Sequence, residues 1–449
     1  MDVGNARSSI LTPAPRATLG AIEAVAITVG IVVGAGIFRT PSLVAGSAAS
    51  EAHILWAWVA GGVISLIGAL CYAELASAYP SAGGDYHFLT RAFGRRLAFL
   101  YAWARLSVIQ TGSIALLAYV FGDYASAILS LGHYSSAVYA AGLVIALTAV
   151  NWIGVHAGAR TQNLLTAVEV IGLATVVIAG LLIAPPSEIV AAPPAEATAI
   201  GSIMVFVLLT FGGWNEAVYV SAELKDARRR MAPVLVFSLV LITLLYVAAN
   251  AAYLRALGLA GVAGSKAVAA DVMRLAFGPA GAALISAMIA VAALTSANAT
   301  LFTGARTAYA LGRDFPVLSI LGRWRERGET PGNALLLQGG ASLLLVGLGA
   351  FARDGFQLAV DYTAPVFWLF FLLVGLSLFV LRRRDPATAR PFKVPLYPVL
   401  PLIFCATNAY LLYSSLAFTG KGALVGVAVL AVGGLLLVPL RANRKETSP

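Results

Sequence analysis

The sequence predicts an all-α integral membrane protein of about twelve spanning helices. Three observations carry that prediction. Of the 449 residues 60% are hydrophobic and 11% charged, and the mean hydropathy is +0.87. A soluble domain of that length cannot cover so much apolar surface, so lipid is the solvent for much of it. Apolar runs of about 20 residues, each long enough to cross ~30 Å of hydrocarbon as a helix, recur along the whole chain. Basic residues crowd into alternate loops, so the net charge of +10 reports membrane topology rather than a nucleic-acid partner.

The opening segment, MDVGNARSSILTPAPRATLG, is polar and lacks an apolar core with a small-residue cleavage site, so residues 1–20 read as a tail and not as a signal peptide. Hydropathy places spans near 21–45, 53–79, 92–121, 135–153, 158–184, 197–222, 231–254, 278–311, 332–351, 358–381, 396–416 and 422–440. An Ala/Pro-rich connection, APPSEIVAAPPAEA, separates the fifth and sixth, and residues 441–449 form a second tail. Linkers are short, so the chain reads as a single membrane domain.

One set of loops holds Arg91, Arg95, Arg96, Arg160, Lys225, Arg228, Arg229, Arg230, Arg313, Arg323, Arg325, Arg327, Arg382, Arg383, Arg384, Arg390 and Lys393. With the tails, about 22 of the 30 basic residues fall on that side, against about five opposite (Arg255, Lys266, Arg274, Arg353 and Lys421). The expected topology is a multi-pass protein of the plasma (inner) membrane with both termini cytoplasmic.

Two spans carry glycines in their middles. The first reads AITVGIVVGAGIFRTPS and the sixth VLLTFGGWNEAVYVSAEL. Interior glycines weaken a helix, and unwound backbone at membrane depth is tolerated where it lines a polar cavity. The first glycine-rich span opens a unit of five spans, residues 21–184, and the sixth opens another, residues 197–381, with 396–440 left as two further helices. Five is odd, so the second unit enters the membrane inverted relative to the first. That pattern points to an inverted-repeat transporter with its site at the midplane. Close helix packing through Gly30 and Gly34, a G-x-x-x-G pair, is the competing explanation of the glycines.

Several classes of function are excluded or unsupported. Cys71 and Cys405 sit in apolar stretches and imply no disulfide framework; the four histidines show no metal-ligand spacing. No phosphate loop of the G-x-x-x-x-G-K-[ST] kind is present, so any energy source is a gradient rather than ATP. No nucleophile–base constellation suggests an enzyme, and no carbonyl filter or charged ring suggests a channel.

The segments GAGIFRTPS (34–42), YAELASAYPSAGGDYHFL (72–89), FGGWNEAVYVSAELKDARRRMAP (211–233), TSANATLFTGARTAYALGRD (295–314) and RRRDPATARPFKVPLYP (382–398) resemble, in order and spacing, the amino acid–polyamine–organocation permeases, especially their L-type amino acid transporter branch. The resemblance implies a LeuT-type fold: a 5+5 inverted repeat plus two C-terminal helices, with helices 1 and 6 unwound. It implies a secondary carrier that moves amino acids by alternating access. The N–H groups of Gly34, Ala35 and Gly36 would hold the substrate carboxylate at a helix N-terminus, and carbonyls at Leu209, Thr210 and Phe211 would accept from its ammonium. Phe211 and Trp214, beside Gly212 and Gly213, would be the large residues of the pocket wall or else packing residues. Heteromeric L-type relatives bind an ancillary glycoprotein through a cysteine between spans three and four. The corresponding GDYASAILSLGHYSS has none, so no disulfide-linked subunit is expected.

Acids inside the spans depart from that branch. Glu216 follows the second break, where the L-type branch lacks an acid; it is either tied to proton coupling or a structural partner. Glu74 reads as a structural ion-pair partner near the inner end of span two, and Glu223 belongs to a cytoplasmic loop. Glu169 falls where the branch has lysine, whose ammonium replaces the sodium ion that sodium-coupled relatives hold between spans one and eight. Ile31, Val32, Thr295 and Ser296 would supply the neutral oxygens there. Three roles stay open for Glu169: ligand to a cation such as Na⁺, carrier of a coupling proton because burial favours the neutral acid, or ion-pair partner of Arg105 at similar depth. No other cofactor is expected. The alternatives to an amino acid carrier are a polyamine or amine carrier and a non-transporting sensor of the same fold.

Overall fold

The computed structural model describes residues 20–81, 83–154, 159–187, 200–216, 224, 226–315, 318–325, 330–352, 354–417 and 421–437. These residues form fifteen α-helices with short 3₁₀ and π segments, and no strand beyond one isolated bridge between Arg325 and Thr330. Eight of the helices are long and apolar enough to cross a membrane. They are apolar on every side, with Leu344 and Phe237 more than half exposed on the outer surface while other faces are buried; this is the composition of helices surrounded by lipid and by one another.

The first predicted span is three pieces: α1 (Ala21–Val32), a 3₁₀ turn (Ala35–Phe38) and α2 (Thr40–Ser47). Next come α3 (Glu51–Ala78), whose N-cap Ser50 accepts from the His53 N–H, and α4 (Gly84–Phe93). The third span is longer than its prediction: α5 (Arg95–Ala104) runs through a π turn (Arg105–Ile109) into α6 (Gln110–Ile128). The fourth, α7 (Ser135–Ile153), has its predicted bounds. In the fifth, α8 (Ala159–Ile178) continues into a π turn at Ala179–Ile183. The sixth is described only as α9 (Ile200–Thr210) and the turns to residue 216; the rest of that span, Glu223, both tails and most of the Ala/Pro-rich connection lie outside the described residues.

Two spans depart from hydropathy at their ends. α10 (Ala227–Gly264) turns a corner at Gly258, and α11 (Val268–Asp314) turns one at Gly278, before Pro279. The prediction for the eighth span began at that corner and missed the ten residues ahead of it, whose Asp271 and Arg274 lower the hydropathy. The remaining helices are α12 (Gly332–Ala350), α13 (Gly355–Arg384), α14 (Val399–Ala417) and α15 (Lys421–Leu436). In the bundle α6 packs on α7 and α11, α10 on α1, α2 and α3, and α8 on α1, α10 and α11.

Buried ion clusters brace the two ends of α13. At its C-terminal end Glu74, fully buried, accepts from Arg382 and from the Val394 N–H (2.7 Å), with Arg390 at 3.6 Å. Tyr79 and Arg91 both donate to Asp385 next to it. Glu74 is therefore the structural partner its position suggested. At the N-terminal end the N-cap residue Asp354 accepts from Arg39, which also pairs with Asp123 (3.1 Å) and bonds Ser42. Removing one member of a buried pair strands the other charge, at about 3–5 kcal/mol. Glu74→Ala is expected to lower unfolding stability in detergent by about 3 kcal/mol, the lower end because Arg382 reaches solvent, with Glu74→Gln losing less. A loss under about 1 kcal/mol for Glu74→Ala would show that the cluster does not brace the helices.

Candidate functional site

The two glycine clusters meet. α1 ends at Val32, where the Gly34 N–H turns back to the Val32 carbonyl (2.7 Å), and the chain re-enters a helix only at Thr40, with Pro41 in its first turn. α9 ends at Thr210, and the Gly212 N–H closes on the Leu209 carbonyl (3.0 Å). Gly213 has φ +103°, a conformation that disfavours any side chain, and a Cβ there would stand 3.1 Å from the Ile31 carbonyl. A Cβ on Gly36 would touch Thr210 at 3.4 Å. Glycine at Gly36 and Gly213 lets two backbones approach closely, whereas a Cβ on Gly34 would meet only the carbonyls of Val32 (3.9 Å) and Ile31 (4.0 Å) in its own span.

A phenol from a third helix joins them. The Tyr246 hydroxyl, on α10, lies 2.7 Å from the Val32 carbonyl and 3.3 Å from the Thr210 carbonyl, and its ring packs on Trp58 and Phe211. The Thr210 hydroxyl in turn lies 2.8 Å from the Thr40 hydroxyl, linking the end of α9 to the start of α2.

Around this junction is a cavity of about 410 Å³. Gly34, Ala35, Gly36, Leu209, Thr210, Gly212 and Gly213 all line it, as do Ile31, Val32, Ser296, Arg105 and Glu216. Four expected residues do not: Phe211, Trp214, Thr295 and Glu169. Phe211 is buried between Trp58 and Tyr246, and Trp214 points into a separate cluster with Tyr72, Phe371 and Phe404, so neither is the pocket wall. The large side chains of the wall are Phe206, Phe356 and Phe367. Thr295 is buried off the cavity, donating to the Val291 carbonyl of its own helix.

The proposed pairing of Glu169 with Arg105 is also overturned. The Arg105 guanidinium makes a two-pronged bond to Glu216, Nη1 to Oε1 and Nη2 to Oε2, both 3.0 Å. Equal depth along two helices says nothing about which way each side chain points. The π turn at Arg105–Ile109 aims Arg105 at the cavity. It also frees the Ser107 carbonyl, which accepts from Tyr362 (2.7 Å). Behind the pair, Tyr101 accepts from Arg105 and donates to Asp85 of α4 (3.2 Å). Asp85 is wholly buried, and burial, with Glu216 nearby, pushes its carboxyl up to about 7.

Glu169 is buried on α8, and its Oε1 has no hydrogen-bond partner among the described residues. Its helix packs on the three that carry Val32, Tyr246 and Thr295. The Val32 carbonyl already accepts from the Gly34 N–H and from Tyr246, which leaves it no lone pair for a metal ion. Sequence reading missed Tyr246, a tyrosine like others in an apolar run, and Arg39, whose signal was a basic residue inside the first span.

The sequence is similar to amino acid transporters along most of its length. The amino acid permease family model matches residues 19–432. The b(0,+)-type amino acid transporter 1 of Mus musculus is 29% identical over 404 residues, covering 88% of this chain and 81% of that protein. The mouse large neutral amino acids transporter small subunit 2 is 30% identical over 428 residues (92% and 79%), and the human Asc-type amino acid transporter 1 is 29% identical over 437 (92% and 80%).

Tyr246→Phe keeps the ring and removes only the hydroxyl, so it is expected to cost about 1–2 kcal/mol and to speed amide exchange at both residues 31–36 and 208–213. Faster exchange in one segment alone would show that the phenol does not tie them together.

Proposed function

The chain belongs to the amino acid permease family and carries amino acids across a membrane, and we propose that it does so as a secondary active transporter working by alternating access. The observation that supports this most is the cavity shared by the break between α1 and α2 and by the end of α9. The fifteen helices are read as twelve spans: α1 with α2 forms the first, α9 with the residues after it the sixth, and α4 lies outside the spans. The first ten make the LeuT-type inverted repeats, with α14 and α15 following, and both termini are cytoplasmic in a plasma (inner) membrane protein.

The N–H groups of Ala35 and Gly36 open a helical turn and take the substrate carboxylate, while that of Gly34 stays on the Val32 carbonyl. Carbonyls where α9 ends, at Leu209 and Thr210, take the ammonium, Phe211 lying off the cavity, and Phe206, Phe356 and Phe367 face the side chain. Of the relatives, one is named for large neutral amino acids, a class that such an apolar wall suits. No disulfide-linked subunit is required, since Cys71 and Cys405 are both buried and cannot reach a partner.

For Glu169 the proton reading is favoured over Na⁺. A buried carboxylate with one oxygen unpartnered among the described residues is costly, the neutral acid much less so, and Val32 offers no free lone pair. Taking up and releasing that proton as the site opens to either side couples transport to a pH gradient. In proteoliposomes, amino acid uptake is expected to be stimulated by an inside-alkaline gradient, to be the same in Na⁺, K⁺ or choline, and to lose about tenfold of its stimulation in Glu169→Gln. Sodium dependence in the wild type, or an unchanged response in the variant, rules the proton role out.

A further inference from the structure

Among the described residues lining the cavity, two side chains carry charge, and they are bonded to each other: Arg105 and Glu216. They come from opposite sides of the site. Arg105 stands on the π turn between α5 and α6, held from behind by Tyr101. Glu216 stands on the turn that follows the end of α9, where its own N–H bonds the Gly213 carbonyl (2.9 Å). Both carboxylate oxygens are engaged by both terminal guanidinium nitrogens, a geometry that fixes direction as well as charge. The Arg105 side chain is 12% exposed and that of Glu216 36%, so the pair is part of the wall rather than a bond buried behind it.

We propose that the Arg105–Glu216 pair selects substrates by charge, keeping the cavity neutral and admitting amino acids whose side chains are uncharged. This rests on the reading of the cavity as the amino acid site. The reasoning is electrostatic. A side-chain carboxylate meets a guanidinium whose charge Glu216 already cancels, and a side-chain ammonium meets a carboxylate whose charge Arg105 already cancels. Either brings an uncompensated charge to a partly dehydrated wall, which is costlier than the shared contact it gains. A neutral side chain meets the pair without breaking it. With one member removed, the cavity wall carries a net charge of known sign that a substrate of opposite sign satisfies. The other acid of the cluster, Asp85, is off the cavity and bonds Tyr101. Below about pH 7 it holds its proton, so the cluster is then neutral.

The test is uptake of labelled leucine, lysine and glutamate into proteoliposomes at pH 6, expressed as ratios to leucine. The wild type is expected to favour leucine over both others. Arg105→Gln leaves the cavity wall net negative and should raise the lysine ratio about tenfold; Glu216→Gln leaves it net positive and should raise the glutamate ratio by a similar factor. The double variant Arg105→Glu with Glu216→Arg should return both ratios toward wild type. Competition against leucine uptake by the wild type gives a check that needs no variant to fold: lysine and glutamate should compete about tenfold more weakly than methionine. Equal competition by lysine or glutamate, or ratios in both single variants matching the wild type, overturns the inference while leucine transport stands. A wild type that moves no amino acid at all overturns the functional reading as well.

Discussion

A helix that stops inside a membrane leaves carbonyls and amides that no solvent will satisfy, and each such group costs several kcal/mol if nothing else takes it up. The two stops in this chain, at Val32 and Thr210, are answered by the same side chain, the hydroxyl of Tyr246. Much else in the middle of the structure follows from that arrangement. The glycines let the two backbones approach until Gly213 faces the Ile31 carbonyl, and the Thr40–Thr210 hydroxyl contact ties the start of α2 to the end of α9. The remaining unpaired amides and carbonyls then face a cavity instead of lipid. On the function proposed above, a zwitterion with one acceptor end and one donor end complements that cavity.

The charges within the bundle sort by how completely they are paired. Glu74 at one end of α13 and Arg39 near the other are saturated with partners, and they hold helices that are distant in sequence. Arg105 and Glu216 are paired yet touch the cavity, so their bond can respond to what enters. Glu169 has neither a cation nor a hydrogen-bond donor on Oε1 among the described residues. That gradient from saturated to unsatisfied matches a gradient from framework to function, since an unpaired buried carboxyl contributes nothing to stability and is retained at a cost.

Much of this was legible in the amino-acid sequence, for identifiable reasons. Hydropathy registers length and lipid exposure, so α7 and α12 fell almost where they were expected. Clustered glycines in two spans marked the stops, because few other features put Gly34, Gly36, Gly212 and Gly213 at membrane depth. Direction around a helix was not legible. Phe211 and Trp214 sit beside the right glycines and point away from the cavity, while Phe206, one turn earlier, and Phe356 and Phe367 from α13 point into it. The same limit misassigned the partner of Arg105: Glu169 and Glu216 both lie at plausible depth, and the π turn that decides between them has no signature in composition. Tyr246 escaped notice because its role depends on two carbonyls more than 30 residues away in sequence, one of them far toward the N-terminus.

On the proposed function, backbone groups at the two stops hold the carboxylate and ammonium shared by all amino acids. Binding of radiolabelled leucine to the purified protein, competed by unlabelled leucine, leucine methyl ester and N-acetyl-leucine, checks this. Leucine is expected to compete while both analogues, each lacking one charge and keeping the whole side chain, compete at least about 100-fold more weakly. Competition by either analogue at the concentration at which leucine competes would show that the backbone groups do not read that end of the substrate.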